Sequence, residues 1–223
     1  MSKYWGQIYA LVAKDLQLEL RTRETITAIL VFALLVLVIF NFALDIRPEI
    51  AQAVGPGILW IAVIFTGPVG MARSFSEERE RGTLELLVAA PVERSAIFLA
   101  KIVTTVLVMA AAQIVLVPAF VALFNVQISP GAIIPSLLLG DLGLAAVGTL
   151  FSAMAAHTRA REVLLPVLVF PIIVPLVIAV VQATSLALGS ELAQDRPWLG
   201  LLIAFDALYL SLGVAVFEYV LEE

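Results

Sequence analysis

Two aspartates, Asp141 and Asp206, are the acidic residues that lie well inside long apolar segments of this sequence. An acidic side chain at the centre of a membrane-spanning helix costs about 2.5–3.5 kcal/mol on insertion scales, so its presence calls for a compensating role. One role is the uptake and release of protons or cations, as in an ion- or proton-coupled carrier. The alternative is structural: each carboxyl group is hydrogen-bonded by a neighbouring helix, or is protonated within a packed core.

Residues for other chemistries are missing from the sequence. It has no cysteine and one histidine, His157, so it predicts no disulfide, no C-x-x-C-H haem attachment and no zinc site. It also lacks a G-x-x-x-x-G-K-[ST] loop for nucleotide phosphates and a G-x-S-x-G nucleophile motif. We therefore expect no catalytic residue, no metal and no ATP hydrolysis by this chain alone, and we interpret His157 as an interfacial polar residue rather than a haem ligand.

A polar segment, residues 73–95, interrupts the apolar sequence and carries five glutamates and four arginines. Within it, Leu84, Leu87 and Val88 are spaced to share one face of a short helix, and Pro91 favours an end to that helix. A segment this charged must lie in water between two membrane spans, and its apolar face needs a surface to cover it. We predict that this face docks on another protein; the alternative is a solvated loop without a partner.

The chain of 223 residues is 62% apolar, with a mean hydropathy of +1.07, whereas soluble domains are about 45–50% apolar. Its net charge of −5 offers no basic surface for nucleic acid. A membrane span needs about 20 mostly apolar residues, and on this criterion we predict an all-α integral membrane protein with six spans in one domain, residues 1–223. The predicted spans are 26–44, 56–72, 97–124, 133–156, 163–188 and 198–220.

Lysine and arginine are distributed unevenly between alternate loops, which predicts the orientation of the chain. The N-terminal segment, the polar segment with Lys101, and the loop before the fifth span contain eleven of them, whereas the loops on the other side contain two. We therefore predict that both termini and the polar segment face the cytoplasm.

Residues 1–25 are predicted to form an amphipathic helix on the membrane surface. Its apolar side comprises Trp5, Ile8, Tyr9, Val12, Leu16 and Leu20, with Gln7, Lys14, Gln17 and Arg21 opposite. The alternative is a cytoplasmic helix packed on the bundle.

The fifth predicted span contains Pro166, Pro171 and Pro175, each of which removes a backbone donor and favours a kink. A bent, gate-like helix followed by a re-entrant segment before Trp198 is one hypothesis, and a static kink is the other.

The run Glu80-Arg81-Gly82-Thr83-Leu84-Glu85-Leu86-Leu87, followed by Pro91-Val92 and a span that opens near Lys101, resembles the first cytoplasmic loop of type 2 ABC exporter permeases. In that family the loop forms a coupling helix that docks in a groove of a separate ATPase subunit. The resemblance implies an ATPase-docking site formed by Glu80, Arg81, Gly82, Leu84, Leu87 and Val88.

Further segments together resemble the CcmB family of cytochrome c maturation permeases along essentially the whole chain. These segments are Lys14-Asp15-Leu16, Glu19-Leu20-Arg21-Thr22-Arg23-Glu24, Phe40-Asn41-Phe42-Ala43-Leu44, Pro56-Gly57-Ile58-Leu59-Trp60 and Arg73-Ser74-Phe75. The Gly67-Pro68 pair in the second span departs from that resemblance.

The resemblance implies a homodimer in the bacterial inner membrane, with the ATPase CcmA and the membrane proteins CcmC and CcmD as partners and the haem chaperone CcmE as an indirect one. ATP would be bound by the ATPase and haem by partner subunits, with no cofactor on this chain. The implied function is to couple ATP hydrolysis to haem handling and release of the haem-loaded chaperone. Two alternatives remain: another type 2 ABC permease that exports a lipid, glycan or drug, and a carrier that uses Asp141 and Asp206.

Overall fold

The computed structural model describes residues 2–44, 50–64, 92–155, 161–189 and 197–220, and within these ranges all regular structure is helical. In chain order the helices of the described residues are α1 (Ser2–Thr22), α2 (Glu24–Leu44), α3 (Ile50–Ile64), α4 (Arg94–Phe124), α5 (Pro130–Ala155), α6 (Arg161–Ala187) and α7 (Trp198–Val220).

Five of these helices, α2, α4, α5, α6 and α7, are long and apolar enough to cross a membrane. Five such helices are typical of a multi-pass membrane protein. The apolar part of α2, Ile26–Leu44, has the bounds of the first predicted span. Helix α4 begins at Arg94 rather than at residue 97, and α5 begins at Pro130 rather than at residue 133.

The second predicted span, 56–72, differs from what the structure describes. Helix α3 already includes Ile50, so Pro56 lies inside the helix rather than at its start. The reason is packing: Ala51 and Gly55 are buried, so one side of the helix before Pro56 already packs on the bundle, whereas residues 52–54 are exposed. The described part of α3 is shorter than a span, and residues 65–72 lie outside the described residues. The sixth span therefore remains a prediction.

The predicted N-terminal helix, 1–25, is divided by a sharp junction. Helix α1 ends at Thr22, Arg23 adopts a left-handed conformation with φ 55°, and α2 begins at Glu24. The Arg23 amide donates to the Glu19 carbonyl at 2.6 Å, while the Glu19 carboxylate accepts a hydrogen bond from the Ile26 amide at 2.9 Å. Both bonds satisfy backbone groups that helix ends leave free, so the junction is defined rather than frayed.

Helix α5 lies at the centre of the bundle and packs against α4, α6 and α7, while α1 and α2 pack on α4. Of the residues in its apolar segment, 72% are buried, against 17% for α2. Small residues on α5 allow this close approach. At Gly140, for example, the Trp60 indole occupies the space where a side chain would begin.

Trp60 itself is fully buried between helices, and its Nε1 donates a hydrogen bond to Thr184 Oγ1 of α6 at 2.9 Å. Asn41 of α2 donates a hydrogen bond from Nδ2 to the carbonyl of Leu123, in the last turn of α4, at 2.6 Å. These bonds fasten α3 to α6 and α2 to α4.

Candidate coupling site and intramembrane carboxyl groups

The six residues predicted to dock on an ATPase, namely Glu80, Arg81, Gly82, Leu84, Leu87 and Val88, lie outside the described residues. The structure resumes at Val92, immediately after this segment, and α4 begins two residues later at Arg94.

Helix α1 lies directly on these first turns of α4. Ile8 and Val12 are buried and form one apolar cluster with Ala96 and Ala100. Packing on the bundle, one of the two hypotheses for this helix, is thus observed for part of its apolar side.

Leu16 also packs against this cluster, whereas Trp5, Tyr9 and Leu20 point away from the bundle. Trp5 is 62% exposed and Tyr9 is 76% exposed. Aromatic side chains of this kind suit the membrane interface, and the surface position of α1 stays a prediction that is compatible with its packing.

Two polar contacts add to the apolar ones between α1 and α4. The Tyr4 hydroxyl lies 3.1 Å from the Ser95 hydroxyl. Farther along both helices, Lys101 Nζ lies 3.0 Å from Asp15 Oδ2, and the two side chains are only 8% and 11% exposed. The sequence shows Lys101 only as one of the basic residues that set the orientation; its pairing with Asp15 emerges from the packing of α1.

Asp141 of α5 is fully buried. Its Oδ1 accepts a hydrogen bond from Gln113 Nε2 of α4 at 2.8 Å, whereas its Oδ2 has no hydrogen-bond partner among the described residues. Gln113 was not a predicted site residue, although it is the one amide side chain in the predicted span 97–124.

Asp206 of α7 is buried as well, and neither of its carboxyl oxygens has a hydrogen-bond partner within the described ranges. It approaches α5 at Gly143, where an added Cβ would lie 2.7 Å from Asp206 Oδ1. Asp141 and Gly143 are two positions apart on one helix, which places them about 200° apart around its axis. The two predicted carboxyl groups therefore face different sides of α5 and are not brought together.

The three proline residues of the predicted gate, Pro166, Pro171 and Pro175, all lie within the uninterrupted helix α6. Residues 190–196, which include most of the predicted re-entrant segment, and His157 lie outside the described residues. The gate thus remains a prediction. No group of three or more His, Cys, Asp or Glu residues in the described part of the chain is arranged to hold a metal ion.

Comparison with known proteins finds relatives of one family. The sequence model of the family described as CcmB protein matches residues 6–221. A protein named Heme exporter protein B from Haemophilus influenzae is 30% identical over 191 residues, covering 82% of this chain and 86% of the relative. One of the same name from Bradyrhizobium diazoefficiens is 26% identical over 205 residues, covering 92% of each chain. A third, from Rhodobacter capsulatus, is 28% identical over 170 residues, covering 76% of this chain and 78% of the relative.

Proposed function

Because the chain belongs to the CcmB protein family, we propose that it is the membrane subunit of an ABC-type system for haem export and cytochrome c maturation. The match across residues 6–221 carries this proposal. Several relatives bear the name Heme exporter protein B, and the five long apolar helices suit a permease subunit.

The finer mechanism starts from segment 73–95. This segment docks on a separate ATPase, CcmA, through the apolar face formed by Leu84, Leu87 and Val88. Two copies of the permease bind two ATPase subunits, and ATP-driven closure of the ATPase pair displaces the docking segments. The displacement reaches the membrane at α4, whose first residues, from Arg94, are the last residues of the segment.

Haem and nucleotide belong to the partners in this proposal. The chain has no cysteine and one histidine, so its residues suit mechanical coupling better than haem ligation. CcmC and CcmD complete the membrane complex, and the energy of ATP hydrolysis releases the haem-loaded chaperone CcmE for cytochrome c assembly. The complex lies in the bacterial inner membrane, with both termini of this subunit in the cytoplasm.

The docking surface can be tested with the double substitution Leu84→Asp plus Leu87→Asp. A carboxylate on each of two apolar contact positions should remove ATPase co-purification and abolish the yield of c-type cytochromes. The control is Leu86→Asp, which introduces one carboxylate in the same segment but off the predicted face, and it is compared with Leu84→Asp and Leu87→Asp made singly. Intact co-purification and cytochrome yield in the double variant would contradict the docking proposal.

Deletion of the gene separates this proposal from its nearest alternative. A type 2 ABC permease that exports a lipid, glycan or drug would leave c-type cytochromes at their normal level when deleted. The third hypothesis, a carrier built on Asp141 and Asp206, gains little support from the geometry, because the two carboxyl groups face different sides of α5.

A further inference from the structure

We propose that the ion pair between Asp15 and Lys101 is a positioning device that makes α1 and the first turns of α4 one mechanical unit. This unit transmits displacement of the docking segment to the start of α2. The inference rests on the proposed function, since it concerns how the motion of segment 73–95 spreads through the permease.

The contacts between α1 and α4 fix the orientation of α1 on α4 as well as its position. Tyr4 meets Ser95 near the start of both helices, and Asp15 meets Lys101 farther along both. Tyr4 and Asp15 are eleven positions apart, which corresponds to about 16 Å along α1. Since the two contacts are that far apart, α1 cannot pivot about either one without breaking the other.

Because the ion pair is buried, it can specify how α1 packs on α4. With side chains only 8% and 11% exposed, both charged groups are largely shielded from water. A buried ion pair adds little net stability compared with apolar packing, and its best-attested role is to specify one arrangement. The pair therefore selects a single register of α1 on α4.

A second ion pair on the same carboxylate serves as an internal comparison. Lys14 Nζ lies 3.1 Å from Asp15 Oδ1, but the Lys14 side chain is 48% exposed. Exposed ion pairs contribute little to stability, and Lys14 and Asp15 are neighbours on the same helix. The Lys14–Asp15 pair lies within α1 and does not join α1 to α4, whereas the Lys101–Asp15 pair does.

The far end of α1 leads into α2. The Glu19 carboxylate accepts from the Ile26 amide at 2.9 Å, across the junction at Arg23. A shift of α1 must therefore displace the first turn of α2 or break this bond. A displacement of the docking segment is thus transmitted to α4, then through the ion pair to α1, and from α1 to α2.

The test uses the complete complex in native membranes with Asp15→Asn, Lys101→Met, and the reversed pair Asp15→Lys plus Lys101→Asp. The reversed pair also carries Lys14→Gln, which avoids two adjacent lysines, and Lys14→Gln alone is the matched control. Three quantities are measured for each variant: permease abundance, ATPase co-purified per permease, and c-type cytochrome yield per assembled complex.

We expect the two single variants to retain the ATPase while cytochrome yield per complex falls about fivefold or more, within the usual range of coupling between sites. The reversed pair should restore most of the yield, and Lys14→Gln should match the wild type. If a single variant lowers permease abundance, the reversed pair still decides the question, because its rescue requires the ion pair and not either side chain.

The inference is overturned if the single variants keep wild-type yield per complex. It is also overturned if yield falls only in proportion to the ATPase bound, or if the reversed pair accumulates normally without restoring the yield. A wild-type complex that contains no ATPase is a different result, because it refutes the proposed function and this inference with it.

Discussion

Gln113 of α4 donates a hydrogen bond from Nε2 to Oδ1 of Asp141 on α5, across 2.8 Å in the buried interior of the bundle. The bond joins the helix that follows the docking segment to the helix at the centre of the fold. A hydrogen bond from a neighbouring helix is what the structural hypothesis for Asp141 predicts. The second oxygen of the same carboxyl group has no partner among the described residues, so the loss of Gln113 would leave the whole group unpaired.

Gln113→Leu should destabilise the permease by about 1–3 kcal/mol, the cost of a buried polar group deprived of its partner. The change is measured as a lower midpoint of thermal unfolding in detergent. Asp141→Asn is the control, because its carbonyl oxygen can still accept from Gln113, and it should preserve both stability and cytochrome yield. Loss of function in a stable Asp141→Asn protein would instead favour the carrier hypothesis.

Asp206 leads to the opposite expectation, because neither of its oxygens has a hydrogen-bond partner in the described part of the chain. Asp206→Val removes that unpaired group and should stabilise the protein by about 1–3 kcal/mol. Asp206→Asn keeps the polar atoms and should bring no such gain. Thermal unfolding of the three proteins side by side provides the measurement. A destabilised Asp206→Val protein would indicate a partner beyond the described residues, such as a second copy of the chain.

The sequence predicts those features of the fold that depend on consecutive residues. Helix α2 matches the first predicted span because hydropathy is a property of consecutive residues, and the same holds for the isolated acidic residues Asp141 and Asp206. The partners could not be predicted in this way. Gln113 is 28 positions from Asp141, and their meeting depends on the register of two packed helices.

The N-terminal helix shows the same limit. Periodicity gives α1 an apolar side, but it cannot say that Ile8 and Val12 pack on α4 while Trp5 and Tyr9 face outward. Periodicity also assigns no partner to Asp15. Only the tertiary packing places that carboxylate against Lys101.

Because α3 approaches α5 closely, alanine substitutions at Gly140 and Gly57 should have opposite effects on stability. At Gly140 a Cβ would overlap the Trp60 indole and lie 2.8 Å from Val180 Cγ1. Gly140→Ala should therefore destabilise the protein by about 1–3 kcal/mol through overpacking. Gly57→Ala is the matched control, because nothing lies within 4 Å of its added Cβ. It should stabilise α3 by about 0.5–1 kcal/mol. Equal unfolding midpoints for the two variants would show that Trp60 does not pack as described.

The predicted orientation can be tested in a chain that contains no cysteine, because the wild type then gives no background labelling. Lys3 and Gln127 are both exposed, near the start of α1 and in the turn after α4, and the count of basic residues assigns them to opposite sides of the membrane. A membrane-impermeant maleimide applied to intact spheroplasts should label Gln127→Cys and spare Lys3→Cys. After permeabilisation both should be labelled, which controls for accessibility. Labelling of Lys3→Cys before permeabilisation, with Gln127→Cys protected, would reverse the orientation and place segment 73–95 where no cytoplasmic ATPase can reach it.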